Sequence, residues 1–213
     1  MKDIRIGIVG GGYMGKAHAV AYAAVASVFD VELRPILEMV CSSSGATAEK
    51  YRKAFGFSRA TGDWRRLVDD PKVDAIVIAT PQRFHRMIAE TAFKLGKPVF
   101  CEKPLGASLE DSRAMLSAAN LADTINMVGF NYIRTPASQY ARKLVLSGRI
   151  GEVIWFRGEH TEDFLADSKE SAAWRGSGRS NGTMGDLAPH MINAARRLVG
   201  PIKSLVASVE TVY

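Results

Sequence analysis

The sequence contains little cysteine and no long hydrophobic run. Its two cysteines, Cys41 and Cys101, occur in no CxxC or Cys/His ligand spacing, so a zinc module and a disulfide-stapled secreted scaffold are both excluded. The longest uncharged stretch, residues 17–29, is too short to cross a bilayer. Residues 1–5 lead directly into a β-like run, with no apolar region typical of a signal peptide. We therefore expect a cytoplasmic protein with no membrane partner.

The charge balance is basic but not concentrated. Lys and Arg number 28 against 22 Asp and Glu, which gives a net charge of +6. The basic residues are spread over the chain and are not interleaved with aromatic residues, which make up 8% of the sequence. A solvated surface explains this distribution better than a nucleic-acid partner does. With 213 residues, 47% of them hydrophobic, the chain has enough material for a large core.

Strand-like and helix-like segments alternate through the first part of the chain. Short β-branched runs predict strands, and alanine-rich or amphipathic stretches predict helices. The predicted strands cover residues 4–9, 36–41, 73–79, 98–101 and 125–128, and the predicted helices cover 13–29, 47–55, 84–95 and 109–119. Such alternation is typical of a doubly wound parallel sheet with right-handed crossovers. We therefore predict an α/β fold over residues 1–129.

The pattern changes after Gly129. The predicted elements there are a helix over 136–146, a strand from 153–156 towards 164, a polar loop over 168–182, a helix over 185–198 and a strand over 202–213. Two strands with these helices cannot close a second sheet domain by themselves. Residues 130–213 are therefore expected to form the N-terminal part of another domain.

A glycine-rich turn joins the first predicted strand to the first predicted helix. Gly10, Gly12 and Gly15 satisfy the pattern GxGxxG. In a βαβ unit the first glycine permits a tight turn, the second lets a pyrophosphate approach the backbone, and the third lets the helix pack closely on the strand. The helix N-terminus offers free N–H groups to phosphate oxygens. The βαβ context favours a dinucleotide-binding Rossmann domain over a purely structural turn.

The end of the second strand bears on the type of dinucleotide. NAD enzymes normally carry an acid there, which binds the ribose 2′-hydroxyl. This sequence has Ser42, Ser43 and Ser44 instead. Their hydroxyls can donate to a 2′-phosphate, and Lys50 or Arg52 could approach it, so NADP is favoured over NAD. The alternative is that the serines form only a polar turn where a helix starts.

Polar segments follow two further strands, at the edge where ligands bind in a doubly wound sheet. Thr80 and Pro81 follow one strand, and Glu102, Lys103 and Pro104 follow the next. Because Pro104 disfavours helix at the preceding residue, Lys103 is held in an extended turn at the edge of the crevice. The alternative is an ordinary surface lysine.

A second polar pair stands in the last predicted helix. Asp186 and His190 are four residues apart, so they share one face if this stretch is helical. The pair is either a functional acid and imidazole or a helix cap with a solvated histidine.

Taken together, these motifs resemble the oxidoreductase family named after glucose-fructose oxidoreductase, inositol dehydrogenase and MocA. The resemblance covers essentially the whole chain, and its nearest branch is the sugar and polyol dehydrogenases. The matching segments are Gly10 to Gly15 with His18, Asp63-Trp64, Ala79-Thr80-Pro81, Glu102-Lys103-Pro104, residues 129–132 with Pro136, residues 148–151, and Gly185-Asp186 with His190.

The resemblance implies hydride transfer between a sugar-type hydroxyl and NADP or NAD, with no metal. It implies Lys103, Asp186 and His190 as the catalytic set. The imidazole would take the hydroxyl proton, the lysine would stabilise the developing alkoxide, and the aspartate would orient the imidazole or the substrate. The coenzyme-binding residues that it implies are Gly10, Gly12, Tyr13, Met14, Gly15, Ser42, Ser43, Thr80, Pro81, Gln82, His85, Glu102, Lys103 and Asn131. Those implied for the sugar pocket are Tyr132, Asp163 and Trp174.

Members of this family are distinctly longer, with a second, α+β domain whose open, mainly antiparallel sheet mediates oligomer contacts. The resemblance therefore implies that residues 130–213 are an incomplete substrate-binding and oligomerisation domain, and that the protein is a homo-oligomer, a dimer or tetramer. This sequence departs from the family pattern at Gln82, Glu162 and Asn193. The substrate preference of a particular family member is therefore not assigned to this chain. Two alternatives stay open: a non-catalytic or truncated NAD(P)-binding relative that acts as a sensor, and a methyltransferase-like glycine-loop protein.

Overall fold

The computed structural model describes residues 1–163 and 182–210. The chain forms two compact units, Met1–Gly129 and Phe130–Tyr213. The polar loop predicted over 168–182 lies outside the described residues except for its last residue. None of the helices within the described ranges is long and apolar enough to cross a membrane.

The first unit is a parallel sheet with helices on both faces. Its strands are β1 (Lys2–Val9), β2 (Leu33–Cys41), β3 (Arg59–Thr61), β4 (Ala75–Ile78), β5 (Val99–Cys101) and β6 (Asn126–Val128). Its helices are α1 (Tyr13–Val28), α2 (Gly45–Phe55), α3 (Trp64–Asp69), α4 (His85–Lys94) and α5 (Leu109–Ala122). The six strands are ordered β3-β2-β1-β4-β5-β6, and every neighbouring pair is parallel. The predicted Rossmann-type α/β fold is confirmed.

Two short elements of this unit were not apparent in the sequence. Strand β3 has three residues and α3 has six, which is too short for a hydrophobic period to be recognised. Helix α3 begins at a side-chain cap, because the Asp63 carboxylate accepts a hydrogen bond from the Arg65 backbone N–H at 3.0 Å. Both elements lie in the connection between β2 and β4.

The sheet is buried on both faces, as a parallel sheet requires. Ile8 and Val77 belong to the apolar cluster that includes residues of α1 and α2, whereas Ile76 and Ile78 belong to the cluster on the other face, with Leu67 of α3. Burying each such aliphatic side chain contributes roughly 1.5–3 kcal/mol. The strands are therefore held firmly, and the loops at their carboxyl ends start from fixed positions.

A partly buried ion network ties β2, β3 and the end of α3 together. The Arg59 guanidinium donates to the Glu38 carboxylate at 2.7 Å and to Asp70 Oδ1 at 3.0 Å. The Arg59 side chain is 35% exposed, and its two partners are 10% and 16% exposed. Hydrogen bonding to this guanidinium holds the pKa of Asp70 below its usual 3.8. Because the pKa of the carboxyl is lower in the folded state, this contribution to stability is present above about pH 3.8 and is lost as the pH falls through the folded value.

Replacing Arg59 with Leu should therefore destabilise the first unit at neutral pH. The loss of charged hydrogen bonds to two carboxylates is expected to lower the free energy of unfolding by about 2 kcal/mol. Urea unfolding at pH 7 and near pH 3 measures the effect, and the difference from wild type should shrink at the lower pH. Arg34→Leu is the control: it removes the exposed ion pair with Asp3, and no measurable change is expected. An equal effect of the two substitutions would contradict this assignment.

The described part of the second unit consists of helices and segments without regular secondary structure. A 3-10 turn at Tyr132–Arg134 precedes α6 (Pro136–Leu146), and α7 (Gly182–Asp186) and α8 (Ala188–Val199) follow later. The guanidinium of Arg142 donates to the backbone carbonyl of Arg197, which joins α6 to α8.

The two strands predicted in the second unit are not found among its described residues. Residues 151–163 and 201–210 belong to no helix or strand, and residues 211–213 lie outside the described residues. Ile154 is 90% exposed and Val206 is 102% exposed. A strand requires a neighbour to complete its hydrogen-bond ladder, and in this unit the described residues offer none. An apolar run alone was therefore not sufficient to predict a strand in this unit.

The last predicted helix is divided in two. Helix α7 ends at Asp186, Leu187 forms a turn, and α8 starts at Ala188. Pro189 explains the break, because a proline has no N–H for the carbonyl of Gly185 and its ring clashes with that carbonyl in a continuous helix. Asp186 and His190 therefore lie on either side of a turn and not on one face of a single helix.

Candidate active site

The loops of the first unit begin side by side at the carboxyl edge of the sheet. Two hydrogen bonds continue the ladder past the strands around β1: Gly10 N–H donates to the Cys41 carbonyl at 2.9 Å, and Ala79 N–H donates to the Val9 carbonyl at 2.8 Å. Glu102 N–H likewise donates to the carbonyl that ends β4, at 2.9 Å. The sheet order reverses between β1 and β4, and this is where ligands bind in doubly wound folds.

The glycine turn is shaped by two close approaches of the backbone. Gly10 has φ +111°, which is unfavourable for other residues, and a Cβ there would lie 2.3 Å from the Ala79 carbonyl oxygen. A Cβ on Gly15 would lie 1.9 Å from the Gly10 carbonyl oxygen, so this glycine lets α1 pack against the turn. These two positions match the roles predicted for the first and third glycines.

The middle glycine faces open space. A Cβ on Gly12 would meet no atom within 4 Å. Gly12 is also the N-cap of the 16-residue helix α1, with no side-chain capping bond and no acid in the first helical turn. The free N–H groups and the positive end of the helix dipole therefore face an accessible position, which is an arrangement suited to a phosphate group. Tyr13, at the start of the helix, is 84% exposed.

A second feature of this edge fits a bound coenzyme. The Thr80 hydroxyl is buried and has no hydrogen-bond partner within the described part of the chain. Buried hydroxyls normally have a partner, so this one is available to a polar group of a ligand. The open Gly12 and the unpaired Thr80 hydroxyl both follow strands flanking the switch point, so the residues present fit a dinucleotide.

The turn after β2 contains Ser42, Ser43 and Ser44, and one of these serines already has a structural role. The Ser44 side chain accepts from the Thr47 N–H at 3.1 Å and so caps α2. The Arg52 guanidinium is paired with both carboxylate oxygens of Glu49, each at 2.8 Å. The remaining candidates for a 2′-phosphate are Ser42, exposed Ser43 and exposed Lys50.

Glu102 makes an internal contact. Its Oε1 lies 2.8 Å from Nε2 of His18, with the two side chains 7% and 13% exposed. Its Oε2 accepts from the Lys103 backbone N–H at 3.3 Å. The edge of the Phe100 ring packs on the imidazole at a centroid distance of 4.9 Å. The carboxylate predicted at the coenzyme therefore has protein partners for both oxygens, and a coenzyme contact there stays a prediction.

His85 is enclosed by backbone carbonyls. Its Nε2 lies 2.8 Å from the Thr80 oxygen, and its Nδ1 lies 3.1 Å from the Pro104 oxygen and 3.2 Å from the Leu105 oxygen. Burial lowers the pKa of this imidazole, and the carbonyl contacts act in the opposite direction. Gln82, on the same connection, is buried.

The two thiols at this edge are inert. Burial raises the pKa of Cys41 to about 11 and raises that of Cys101 further still. A thiol that stays protonated is neither a nucleophile nor a metal ligand at neutral pH. Within the described ranges, no group of three or more His, Cys, Asp or Glu side chains could hold a metal ion.

The second unit brings aromatic and imidazole rings together around His190. The Tyr132 ring stacks on His190 with a centroid distance of 4.2 Å, and His160 lies 5.9 Å from His190. Nε2 of His160 lies 3.3 Å from Glu162 Oε1. His190 is 8% exposed, and Phe130 meets it edge-on. His160 was not predicted as a site residue, because no local sequence pattern places it beside His190.

The other predicted site residues are distributed over both units. Lys103 and Pro104 are half-buried after β5, and their peptide bond is cis. Asn131 and Asp163 are exposed in the second unit, and Trp174 lies outside the described residues.

The fold and the glycine turn define a dinucleotide-binding α/β protein. The family model described as "Oxidoreductase family, NAD-binding Rossmann fold" matches residues 4–130, and the one described as "GFO/IDH/MocA C-terminal domain" matches residues 138–213. The chain belongs to the Gfo/Idh/MocA family of oxidoreductases, as the sequence motifs predicted.

Several characterised proteins are similar to the chain. Levoglucosan dehydrogenase of Pseudarthrobacter phenanthrenivorans is 39% identical over 214 residues, which cover 99% of this chain and 55% of that protein. Inositol 2-dehydrogenase of Rhizobium meliloti is 33% identical over 92% of this chain and 55% of its own length. A solved levoglucosan dehydrogenase in complex with NADH and levoglucosan superposes with a TM-score of 0.90 at 39% identity, covering 93% of this chain and 54% of that one. The chain thus spans about 55% of these relatives.

Proposed function

We propose that this chain is the coenzyme-binding and catalytic portion of a dehydrogenase that transfers hydride between a nicotinamide coenzyme and a sugar or polyol hydroxyl. Two observations at the same sheet edge carry the proposal. Gly12, at the start of α1, faces open space, and the buried Thr80 hydroxyl has no hydrogen-bond partner among the described residues. The similarity to a levoglucosan dehydrogenase solved with NADH and levoglucosan supports it.

The proposed chemistry gives each of the three predicted catalytic side chains one role. A bound nicotinamide ring would supply the hydride acceptor or donor. Lys103 would hold the reacting hydroxyl oxygen and stabilise negative charge on it, while His190 would take the hydroxyl proton as a base. Asp186 would orient the imidazole or the sugar. The stacked Tyr132 ring supports the imidazole of His190 from one side.

The partners that we propose are small molecules and further copies of the chain. A sugar or polyol is the substrate class, as in the relatives named above. A homo-oligomer is supported by the exposed apolar side chains of the second unit, Trp155 and Leu205 among them. Sedimentation velocity tests it, and a monomer at all concentrations would contradict it.

We further propose that the coenzyme site accepts a 2′-phosphate, so that NADPH binds more tightly than NADH. The turn after β2 offers hydroxyl groups and exposed Lys50, and it carries no acid. Replacing Ser43 with Asp should weaken NADPH binding about tenfold, through like-charge repulsion worth about 1.4 kcal/mol, and should leave NADH binding nearly unchanged. Fluorescence titration with both coenzymes measures this. Tighter binding of NADH by wild type would overturn the preference for NADP.

The function is tested on the full chain in two stages. Titration with NADH and NADPH establishes binding, and the absorbance of reduced nicotinamide is then followed with oxidised coenzyme and a panel that includes levoglucosan and inositols. Saturable binding with turnover of at least one sugar or polyol is expected. Binding without turnover over the whole panel would favour the non-catalytic sensor, and no binding would remove the proposal.

A further inference from the structure

We propose that two buried histidines, His18 and His85, hold the turn that carries Lys103 and so position its side chain for the reaction. The inference rests on the proposed function, because it assigns supporting residues to the lysine of that reaction. Both imidazoles contact the protein itself, so they are positioning residues and not catalytic residues.

His18 acts on the residue before the lysine. It lies on α1, the helix that starts at the glycine turn, and its Nε2 is 2.8 Å from Glu102 Oε1. The other oxygen of Glu102 accepts from the Lys103 backbone N–H at 3.3 Å. The imidazole thus fixes the carboxylate, and the carboxylate fixes the backbone of the lysine. Phe100 confines the imidazole from the side.

His85 acts on the residues after the lysine. Its Nδ1 lies within 3.2 Å of the Pro104 and Leu105 carbonyl oxygens, and its Nε2 lies 2.8 Å from the Thr80 carbonyl oxygen. The ring is 1% exposed. The ring therefore lies between the turn after β5 and the end of β4, where the Thr80 hydroxyl has no partner among the described residues. A neutral imidazole donates to only one of these two sides, and the proposal assigns its proton to Nδ1, which faces the turn.

Lys103 lies between these two anchored points. Its backbone is held from the N-terminal side through Glu102 and from the C-terminal side through the two carbonyls beyond it. A shift of about 1 Å in a reacting group can cost about 10²-fold in rate. Losing either anchor should therefore reduce turnover.

The two anchors use different ring nitrogens, and this gives a specific test. The side-chain amide of Gln places an N–H near the position of Nε2, and that of Asn places one near Nδ1. At position 18 the turn is contacted through Nε2, so Gln should preserve the anchor and Asn should not. At position 85 the turn is contacted through Nδ1, so Asn should preserve it and Gln should keep only the contact to Thr80.

The experiment compares His18→Gln with His18→Asn and His85→Asn with His85→Gln in the full chain. The measurements are kcat, the dissociation constant of NADH, and the backbone amide resonance of Lys103 by NMR. His18→Asn and His85→Gln should lower kcat about 10- to 100-fold, as is usual for supporting partners, and should move the Lys103 resonance. His18→Gln should stay near wild type, and NADH affinity should be the same in both position-18 variants. At position 85 the comparison is between the two variants, and His85→Asn should lose less activity than His85→Gln.

If Gln and Asn change kcat and the Lys103 resonance equally at both positions, the histidines only fill space and the proposal is overturned. The proposal is also overturned if Asn is better tolerated than Gln at position 18 and Gln better than Asn at position 85. If a position-18 variant fails to fold, Glu102→Gln gives a second route. The amide of Gln accepts through oxygen and donates through nitrogen, so it cannot accept from both the imidazole and the Lys103 N–H, and kcat should fall about as far as in His18→Asn. Unchanged kcat in Glu102→Gln would also contradict the proposal.

The two proposals fail in different ways. A wild-type chain without turnover would count against the proposed function, while the Lys103 resonances of the same four variants would still decide the positioning role. If wild type turns over normally and the Lys103 resonance is unchanged in the His18 and His85 variants, only the positioning role is ruled out.

Discussion

Lys103→Met should lower kcat by roughly 10²- to 10³-fold, the usual cost of removing one group that stabilises developing negative charge on oxygen. Hydride departure from an alcohol leaves negative charge on the oxygen, and an ammonium group beside it lowers that energy. Met keeps the length and apolar stem of the lysine, so the turn after β5 should keep its packing. Steady-state kinetics with the most active sugar of the panel measures the loss.

Coenzyme affinity separates this effect from a loss of binding. The dissociation constant of NADH should stay within the range of wild type, because phosphate binding is assigned to the glycine turn and α1. Lys103→Arg is the matched control for charge: it keeps the cation but changes its shape, and partial activity is expected. Undiminished turnover of Lys103→Met would remove the lysine from the mechanism.

Gly12→Val should abolish coenzyme binding and leave the fold intact. A Cβ at this position would meet no atom of the described residues within 4 Å, and the backbone φ of −71° suits any residue. The valine would occupy the space that the phosphates need above the first turn of α1. Losing two charge-assisted hydrogen bonds of roughly 1.5–3 kcal/mol each weakens binding by about 10²-fold or more.

The neighbouring glycine provides the contrast. A Cβ on Gly11 would lie 2.0 Å from the Tyr51 ring, so Gly11→Val should destabilise the packing of α2 as well as the turn. Thermal unfolding followed by circular dichroism, together with NADH titration, distinguishes the two variants. Normal NADH affinity in Gly12→Val would mean that the diphosphate does not lie at this turn.

Sequence patterns predicted most strands and helices of the first unit, because each of these elements is specified by residues that are close together in the chain. The runs that became β1, β2 and β4 are β-branched and bounded by turn residues, and the glycine turn stands directly between β1 and α1. Contacts between distant residues were not predictable in this way. The pair of His18 and Glu102 joins positions 84 residues apart, and its existence depends on the parallel order of the strands and not on any local spacing.

The second unit shows the opposite case. Apolar runs at 153–156 and 202–210 have the composition of strands, but composition does not supply the neighbour that a ladder needs. The helix that carries Asp186 and His190 was recognised, yet its break was not, although Pro189 was a sufficient signal. The grouping of Tyr132, His160 and His190 likewise depends on how the chain folds back on itself.

Transfer of deuterium from a sugar to the coenzyme is the direct measure of the proposed hydride transfer. The full chain is incubated with oxidised coenzyme and a sugar deuterated at its carbinol carbons, and the reduced coenzyme is analysed by mass spectrometry. We expect the reduced coenzyme to carry deuterium from the sugar, and we expect Gly12→Val and Lys103→Met to produce almost none. Saturating coenzyme binding with no deuterium transfer from any sugar or polyol tested would contradict it.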